Sequence, residues 1–161
     1  MTMQITIVCV GKLKEKYWRE AEQEYLKRLA PYARVKIIEV ADESCPEEAG
    51  ESVREQVRQK EGERLLAALP PHSWRVALDL RGKTCSSEEM AARVEEWLLA
   101  GWSHLVFVIG GSLGLADKVL AACQFKLSFG AFTYPHQLMR VILLEQIYRW
   151  QKIRRGEPYH K

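Results

Sequence analysis

The protein is a chain of 161 residues, 47% hydrophobic and 28% charged, with a formal net charge of +3. This length and composition predict one globular domain spanning 1–161, whose core needs neither disulfides nor a metal. The apolar stretches are too short for a membrane span and the first residues lack a signal peptide's basic leader, so a cytoplasmic protein is expected.

The first half of the chain alternates strand and helix patterns. β-branched residues typical of strands occur in two runs, and apolar residues at helical spacing follow each run. The predicted elements are a strand at 3–10, a helix at 14–30, a strand at 34–40, an acidic loop at 41–51 and a charged helix from about 52 to 68. The apolar stripe predicted for the first helix comprises Tyr17 (or its neighbour Trp18), Ala21, Tyr25 and Leu29. Pro31 ends this helix.

The second half repeats the alternation and ends in a long helix. The predicted elements are a strand at 74–80, a turn at 81–83, a helix from 86 to about 100, a strand at 104–110, a short helix at 116–123, a strand at 125–129 and a helix from about 135 to 152. Ser86 and Glu89 form a capping box, and Gly101 ends that helix. The strand at 104–110 is almost wholly apolar, which favours a central position in a sheet. The alternation predicts an α/β fold with a mainly parallel sheet.

The four cysteines are interpreted as reduced thiols. Cys9, Cys45, Cys85 and Cys123 are spaced by 36, 40 and 38 residues. A structural zinc site usually takes ligands in pairs two to five residues apart, so no metal is expected. Two disulfides would suit a secreted protein, but nothing else in the sequence indicates secretion.

Charge is distributed unevenly along the chain. Residues 1–100 carry 16 Lys/Arg against 18 Asp/Glu, whereas residues 101–161 carry 8 against 3. A basic C-terminal end is typical of a protein with a polyanionic partner. The alternative is that basic residues at a helix end only complement the helix dipole.

Three glycines follow the fourth strand in "FVIGGSLGL", residues 107–115. A phosphate-binding P-loop would need a Lys-Ser/Thr pair after them, and a dinucleotide fingerprint would lie after the first strand instead. Neither is present, so the pattern argues against both kinds of site. The alternative that remains open is that the glycines serve only tight turns.

Three predicted strand ends are rich in glycine or apolar residues. They lie at Leu78–Asp79 with Gly82, at Ile109–Gly111, and at 128–137. Ligands of open parallel sheets bind beyond the carboxyl ends of the strands, and glycine lets the backbone approach a ligand closely. Because these loops contain little Lys, they favour an adenine or a thioether over a pyrophosphate.

The last helix is apolar on two sides. Leu138, Val141, Ile142 and Tyr148 form one side, and Met139, Leu143, Ile147 and Trp150 form the other. An ordinary surface helix has one apolar stripe, so the second side needs a cover of its own. In a chain this small, the expected cover is a second subunit, which predicts a homodimer built on this helix.

Four motifs together resemble the bacterial ribosomal RNA large subunit methyltransferase H family, which belongs to the SPOUT class. They are "VGKLKEKYW", "FVIGGSLGL", "LSFGAFTYPHQLMRVILLEQIYRWQKI" and "RGEPYHK", and the similarity extends from Gln4 to Lys161. The resemblance implies a homodimer with a C-terminal trefoil knot that binds S-adenosylmethionine. It also implies methylation of N3 of a pseudouridine in the helix 69 loop of 23S rRNA on assembled ribosomes, with no metal and no membrane.

The resemblance also implies site residues. Those for the cofactor are Leu78, Gly110, Phe129, Gly130, Ala131, Phe132, Thr133 and Tyr134. Methyl transfer to an imide nitrogen also needs a base or an anion-stabilising cation. The candidates on the basic tail are Arg149, Arg154, Tyr159 and His160, all expected to face the active site across the dimer.

His160 is the hypothetical base, and each tail residue has a structural alternative. His160 could instead be a solvated or RNA-contacting side chain, and Arg149 could form a structural ion pair. A second functional hypothesis is a non-catalytic ribosome-associated factor with the same fold. A third, a nucleotide-binding regulatory domain, would need a Lys-rich or acidic site that the sequence lacks.

Overall fold

In the computed structural model, which describes residues 2–161, five strands alternate with five helices. In chain order they are β1 (Gln4–Val10), α1 (Lys16–Leu29), β2 (Arg34–Val40), α2 (Glu51–Ala68), β3 (Trp74–Thr84), α3 (Ser87–Leu99), β4 (His104–Ile109), α4 (Asp117–Ala121), β5 (Phe125–Ser128) and α5 (His136–Arg154). The predicted α/β class is confirmed.

The strands form one sheet in the order β2-β1-β4-β3-β5, and every pairing is parallel. β4 lies in the middle, and its residues from Leu105 to Ile109 are all buried. The central position predicted from its apolar sequence is therefore confirmed. His104 begins this strand and its ring Nε2 lies 2.8 Å from Thr6 Oγ1 on β1, so the polar start of the strand is satisfied by its neighbour.

Helices cover both faces of the sheet and bury two separate cores. One core joins alternate residues of β1 and β4 to α1, α3 and α5, with Leu29, Val94 and Leu144 fully buried. The other joins the intervening strand residues to α2 and α4 through Leu65 and Val119. Because the central strands are covered on both sides, they carry apolar residues at successive positions rather than in alternation.

The inward face of α1 differs by one position from the preferred prediction. Tyr17 is 62% exposed, whereas its neighbour Trp18 is half-buried and Leu29 is fully buried. The two rings pack edge to face, with centroids 5.0 Å apart. Because adjacent helical residues differ by about 100° in direction, only one of the pair can face the sheet. Trp18 is the more buried of the two.

Strand β3 is longer than the sequence predicts. The turn expected at residues 81–83 lies inside the strand, which reaches Thr84 after a register shift against β5 between Leu78 and Lys83. A Cβ at Gly82 would lie 2.6 Å from the carbonyl oxygen of Lys126. Gly82 therefore permits the close approach of β3 to β5, and this tertiary role leaves the same local signal as a turn.

Two helix ends agree closely with the sequence. Ser86 Oγ accepts a hydrogen bond from the backbone N–H of Glu89, whose carboxylate accepts in return from the N–H of Ser86. Gly101, at φ +101°, follows the last turn of α3. The capping box and the glycine stop are therefore confirmed, because both depend on residues within one turn of the helix end.

A buried arginine joins α5 to α1, to β2 and to the residue after β1. The Arg140 side chain is 1% exposed; its Nη1 lies 2.7 Å from Glu39 and 3.2 Å from Glu22, and its Nη2 donates to the carbonyl of Gly11. The His136 ring packs against Gly11, and burial, followed by the nearby Arg140 charge, lowers the pKa of His136. This cluster fixes the start of α5 against α1, β2 and the end of β1.

Three further expectations concern the chain as a whole. All four cysteines are reduced thiols. Within residues 2–161, none of the helices combines the length and the apolarity that crossing a bilayer requires. The trefoil knot implied by the resemblance stays a prediction.

Candidate active site

The predicted cofactor residues gather at one edge of the sheet. Because β4, β3 and β5 are parallel neighbours, their carboxyl ends lie side by side. Gly110 directly follows β4, Leu78 pairs with Leu127 of β5, and Phe129 directly follows β5. The topology therefore brings three distant sequence segments to the place where parallel sheets bind ligands.

The glycine loop after β4 is tightly folded. Gly111 and Gly114 form a short antiparallel bridge, and the N–H of Gly114 donates to the carbonyl of Gly111 at 3.1 Å. A Cβ on Gly110 would lie 2.9 Å from the backbone C and O atoms of Gly114, which is too close for carbon. Gly110 is thus needed for the loop to close on itself.

A buried carboxyl group lies close to this loop. Glu61 of α2 is 4% exposed, and its Oε2 accepts a hydrogen bond from the backbone N–H of Glu43 at 3.0 Å. Its Oε1 would lie 3.0 Å from a Cβ on Gly111, so the glycine also makes room for the carboxyl. Burial raises the pKa of Glu61. Sequence reasoning missed this residue, because a lone Glu in a charged helix gives no sign that it points inward.

A cavity of about 290 Å³ opens between β5, α3 and α5. Every lining side chain is uncharged; the residues are Thr84, Cys85, Ser86, Ser87, Met90, Leu127, Ser128, Phe129, Gly130, Ile142, Gln146 and Trp150. Two of the predicted cofactor residues, Phe129 and Gly130, line it, whereas Leu78 and Gly110 lie outside its wall. A mixed apolar and neutral polar lining is suited to an uncharged, flat ligand rather than to a phosphate.

The loop from β5 to α5 forms the outer side of this edge. Ser128 Oγ accepts a hydrogen bond from the N–H of Gly130 at 3.1 Å, and Gly130 has φ +100°. Beyond it the side chains turn outward: Phe132 is 78% exposed, and Ala131 and Thr133 are also exposed, while Tyr134 is partly buried. An ordered backbone turn is thus followed by an exposed aromatic ring.

Three of the four predicted catalytic residues form one cluster at the tail. The Arg149 Nη1 lies 3.1 Å from His160 Nδ1, and its guanidinium lies 4.7 Å from the centre of the Tyr159 ring. Glu145 joins the cluster: it accepts from Arg149 at 2.5 Å and from the Tyr159 hydroxyl at 3.1 Å. The tail therefore folds back onto the outer face of α5.

The cluster is electrostatically complementary. The hydrogen bond to Glu145 raises the pKa of Arg149, so the guanidinium stays charged. Burial and the same carboxylate raise the pKa of Tyr159, so its hydroxyl stays a donor. A structural ion pair is the alternative role that the sequence leaves open for Arg149. The structure contains such a pair, with Glu145, and it coexists with the Arg149–His160 contact.

Arg154 lies away from this cluster. Its Nε donates to Glu95 at 2.6 Å and its Nη1 donates to Gln151 at 2.6 Å, at the C-terminal ends of α3 and α5. With its neighbour Arg155 it borders a second cavity of about 530 Å³ beside Met3 and Ser103, where β1 and β4 begin. Within one subunit, Arg154 is therefore at the opposite edge of the sheet from the glycine loop.

Metal ligands are not grouped in the part of the chain that the structure describes: residues 2–161 contain no cluster of three or more His, Cys, Asp or Glu side chains able to hold an ion. The arrangement consists of a neutral cavity, a glycine loop and a polar tail with one imidazole and one guanidinium. Chemically, such a set can bind a largely uncharged ligand, accept a proton and stabilise a developing negative charge.

Comparison with known proteins identifies relatives along the whole chain. A family model described as "Predicted SPOUT methyltransferase" matches residues 3–160. The chain is 61% identical over 159 residues to ribosomal RNA large subunit methyltransferase H of Carboxydothermus hydrogenoformans, covering 99% of this chain and 100% of the relative. It is 54% identical over 159 residues to the protein of the same name from Desulforamulus reducens, covering 99% of each.

A solved structure is similar in fold. The structure of a probable methylase family protein from Haemophilus influenzae aligns with a TM-score of 0.57 at 13% identity, covering 100% of this chain and 72% of that chain.

Proposed function

Because the chain belongs to the SPOUT methyltransferases, and within them to the ribosomal RNA large subunit methyltransferase H family, we propose that it methylates 23S rRNA with S-adenosylmethionine as donor. The target is N3 of a pseudouridine in the helix 69 loop, reached on assembled ribosomes in the cytoplasm. The observation that carries this proposal is the full-length identity of 61% to a relative that bears the rRNA methyltransferase name.

The sheet edge suits the donor. Its adenosine part is uncharged, and the cavity beside Phe129 and Gly130 has an uncharged lining with both apolar and hydrogen-bonding groups. Gly130 has open space where a side chain would stand, so its backbone is accessible to a ligand. We assign the donor to this edge, held by the cavity wall, by the loop from Phe129 to Tyr134, and by Gly110 and Leu78.

When bound, S-adenosylmethionine supplies an electrophilic methyl group and leaves as a neutral thioether. The protein's task is then to orient the acceptor nitrogen and to remove its proton. His160 accepts the N3 proton on a ring nitrogen. Arg149 lies beside His160 and stabilises the negative charge that develops on the carbonyl oxygens flanking N3. Tyr159 and Glu145 hold Arg149 in place.

The active form in this proposal is a homodimer through α5. One side of this helix is in the core, with Leu143, Ile147 and Trp150 buried, whereas Val141 and Ile142 on the other side are only partly buried. The tail of the same chain covers the C-terminal half of that second side, which leaves its first turns for a partner subunit.

Two measurements test the proposal. Calorimetric titration with S-adenosylmethionine is expected to show saturable binding, whereas a silent titration of the folded dimer would favour the non-catalytic ribosome-associated factor. Mass spectrometry of rRNA fragments from a strain lacking the gene is expected to show one missing methyl group in the helix 69 loop. Restoring the gene should restore the methyl group, and the His160→Ala variant should not. Undiminished single-turnover methylation by that variant would exclude His160 as the base.

A further inference from the structure

The imidazole of His160 is held on both of its nitrogens. Arg149 Nη1 lies 3.1 Å from Nδ1, and a carboxylate oxygen of Glu88 lies 2.5 Å from Nε2. Glu88 belongs to the first turn of α3 and is 72 positions away from His160 in the chain. A tail that would otherwise be solvated is thereby fixed between two helices.

The two contacts determine where the ring proton lies. A guanidinium can only donate hydrogen bonds, so Nδ1 must be the acceptor and must carry no proton. Nε2 then carries the proton of the neutral ring and donates it to Glu88. In this tautomer the nitrogen that faces Arg149 is the basic one.

Glu88 is well placed to act as a permanent acceptor. A hydrogen bond from its own backbone N–H, followed by the contact with His160, lowers the pKa of Glu88, so the carboxylate is ionised at neutral pH. The capping box of Ser86 fixes the start of the helix, and Ser87 Oγ donates to Gln146 of α5 at 2.7 Å. The same two residues, Ser87 and Gln146, line the 290 Å³ cavity. Glu88 therefore stands at a fixed position beside the wall of the cavity.

We propose that Glu88 is the positioning residue for His160: it holds the proton on Nε2 and thereby keeps Nδ1 as the basic nitrogen. The proposal rests on the function proposed above. When the acceptor base arrives, Arg149 Nη1 exchanges its contact with Nδ1 for one with a carbonyl oxygen of that base, while Nε and Nη2 stay on Glu145. The N3 proton passes to Nδ1, while the Nε2 proton stays on the ring and continues to donate to Glu88. The carboxylate then stabilises the imidazolium and does not itself become protonated.

The exposure of the Glu88 side chain limits how much its removal slows methylation. Loss of a buried orienting carboxylate lowers turnover by about 10⁴-fold in serine proteases. The side chain of Glu88 is 60% exposed, so water can partly replace it and the loss is smaller. We expect the Glu88→Ala variant to lower the single-turnover methylation rate by about 10- to 100-fold, which is at or below the lower end of the roughly 10²- to 10⁴-fold that general acid–base catalysis contributes.

The test compares Glu88→Ala with Glu88→Asp and with Glu96→Ala, an exposed glutamate later in α3 that serves as the matched control. Long-range proton–nitrogen NMR of protein with isotope-labelled histidine reports the tautomer, with His160 assigned by its absence in a His160→Gln variant. Wild type and Glu96→Ala are expected to show one tautomer, protonated on Nε2. Glu88→Ala should show a mixture and a slower single turnover at an unchanged KM for S-adenosylmethionine. Glu88→Asp should recover part of both.

Three results would overturn the proposal. They are an unchanged tautomer in Glu88→Ala, a changed tautomer with an unchanged methylation rate, and a loss confined to KM. A wild type that methylates no rRNA would refute the proposed function, yet the NMR signal would still decide whether Glu88 sets the proton position on His160. The two failures are therefore distinguishable.

Discussion

Replacing Gly110 with alanine adds one methyl group where the glycine loop closes on itself. The new carbon would lie 2.9 Å from the backbone C and O atoms of Gly114 and 3.0 Å from a methyl carbon of Leu115. The leucine side chain can rotate away, but the backbone of Gly114 cannot move without opening its bridge to Gly111. Reaching an ordinary contact distance requires a shift of the loop by roughly 0.5 Å, since carbon contacts favour about 3.5 Å or more.

The added methyl group overpacks the closed glycine loop and therefore destabilises it. Forcing an extra methyl into a closed site costs about 1–3 kcal/mol. If the donor binds only the undistorted loop, the same free energy weakens its binding by about fivefold to 150-fold, because about 1.4 kcal/mol corresponds to a factor of ten. Calorimetric titration with S-adenosylmethionine measures this directly, and thermal unfolding checks that the fold is retained.

Gly50→Ala is the matched control for this measurement. Gly50 lies before α2 with no atom within 4 Å of a Cβ position, so alanine there should leave donor affinity unchanged. Wild-type affinity in a folded Gly110→Ala protein would refute the reasoning. It would mean either that the loop adapts without cost or that it lies outside the donor site. Equal weakening in both variants would also refute it, since the effect would then not depend on close packing.

Three further predictions follow from buried or unpartnered groups. Arg140→Met should lower the free energy of unfolding by about 3 kcal/mol, which is the low end for a broken buried ion pair, because its two carboxylate partners keep some contact with water. Urea denaturation at fixed protein concentration measures this loss. A change below about 1 kcal/mol would contradict the prediction. The Glu61→Gln variant should become more stable relative to wild type as the pH rises above 4.5, the ordinary pKa of a glutamate side chain. The reason is that only the wild type must ionise a buried carboxyl whose pKa is raised in the folded state. Urea midpoints measured between pH 4 and pH 8 test the sign, and a difference that does not change with pH would refute it. Leu138→Glu should convert the dimer to monomers, which sedimentation velocity measures. The control Leu99→Glu, at an 80% exposed position on α3, should leave the dimer intact. A dimeric Leu138→Glu protein would exclude α5 as the interface.

Features that depend on neighbouring residues could be predicted from the sequence. The capping box at Ser86 and the glycine stop at Gly101 are local, and both are present. The central position of β4 followed from its apolar run, since a strand covered on both faces needs no polar alternation. The grouping of Gly110 with the loop after β5 followed from the parallel topology itself.

Features that depend on contacts across the fold could not be predicted. Gly82 gives the same signal in a turn as at a close approach of two strands, and only the pairing with β5 distinguishes them. Glu61 and Glu88 are ordinary acidic residues of charged helices until the chain brings Gly111 and His160 to them. Arg154 and Arg149 are five positions apart on one basic helix, yet they pair with different carboxylates.

The strand order also has a consequence for how the protein acquires its structure. The pairing of β1 with β4 joins Gln4 to His104, which are 100 positions apart in the chain. The centre of the sheet therefore cannot form on the ribosome until the residues of β4 have been synthesised. Until then, the unit of β1, α1 and β2 has an apolar strand edge without its partner. Such non-local pairing is typically slow, so we expect refolding in milliseconds to seconds rather than microseconds. We also expect the early nascent chain to be the species most prone to aggregate.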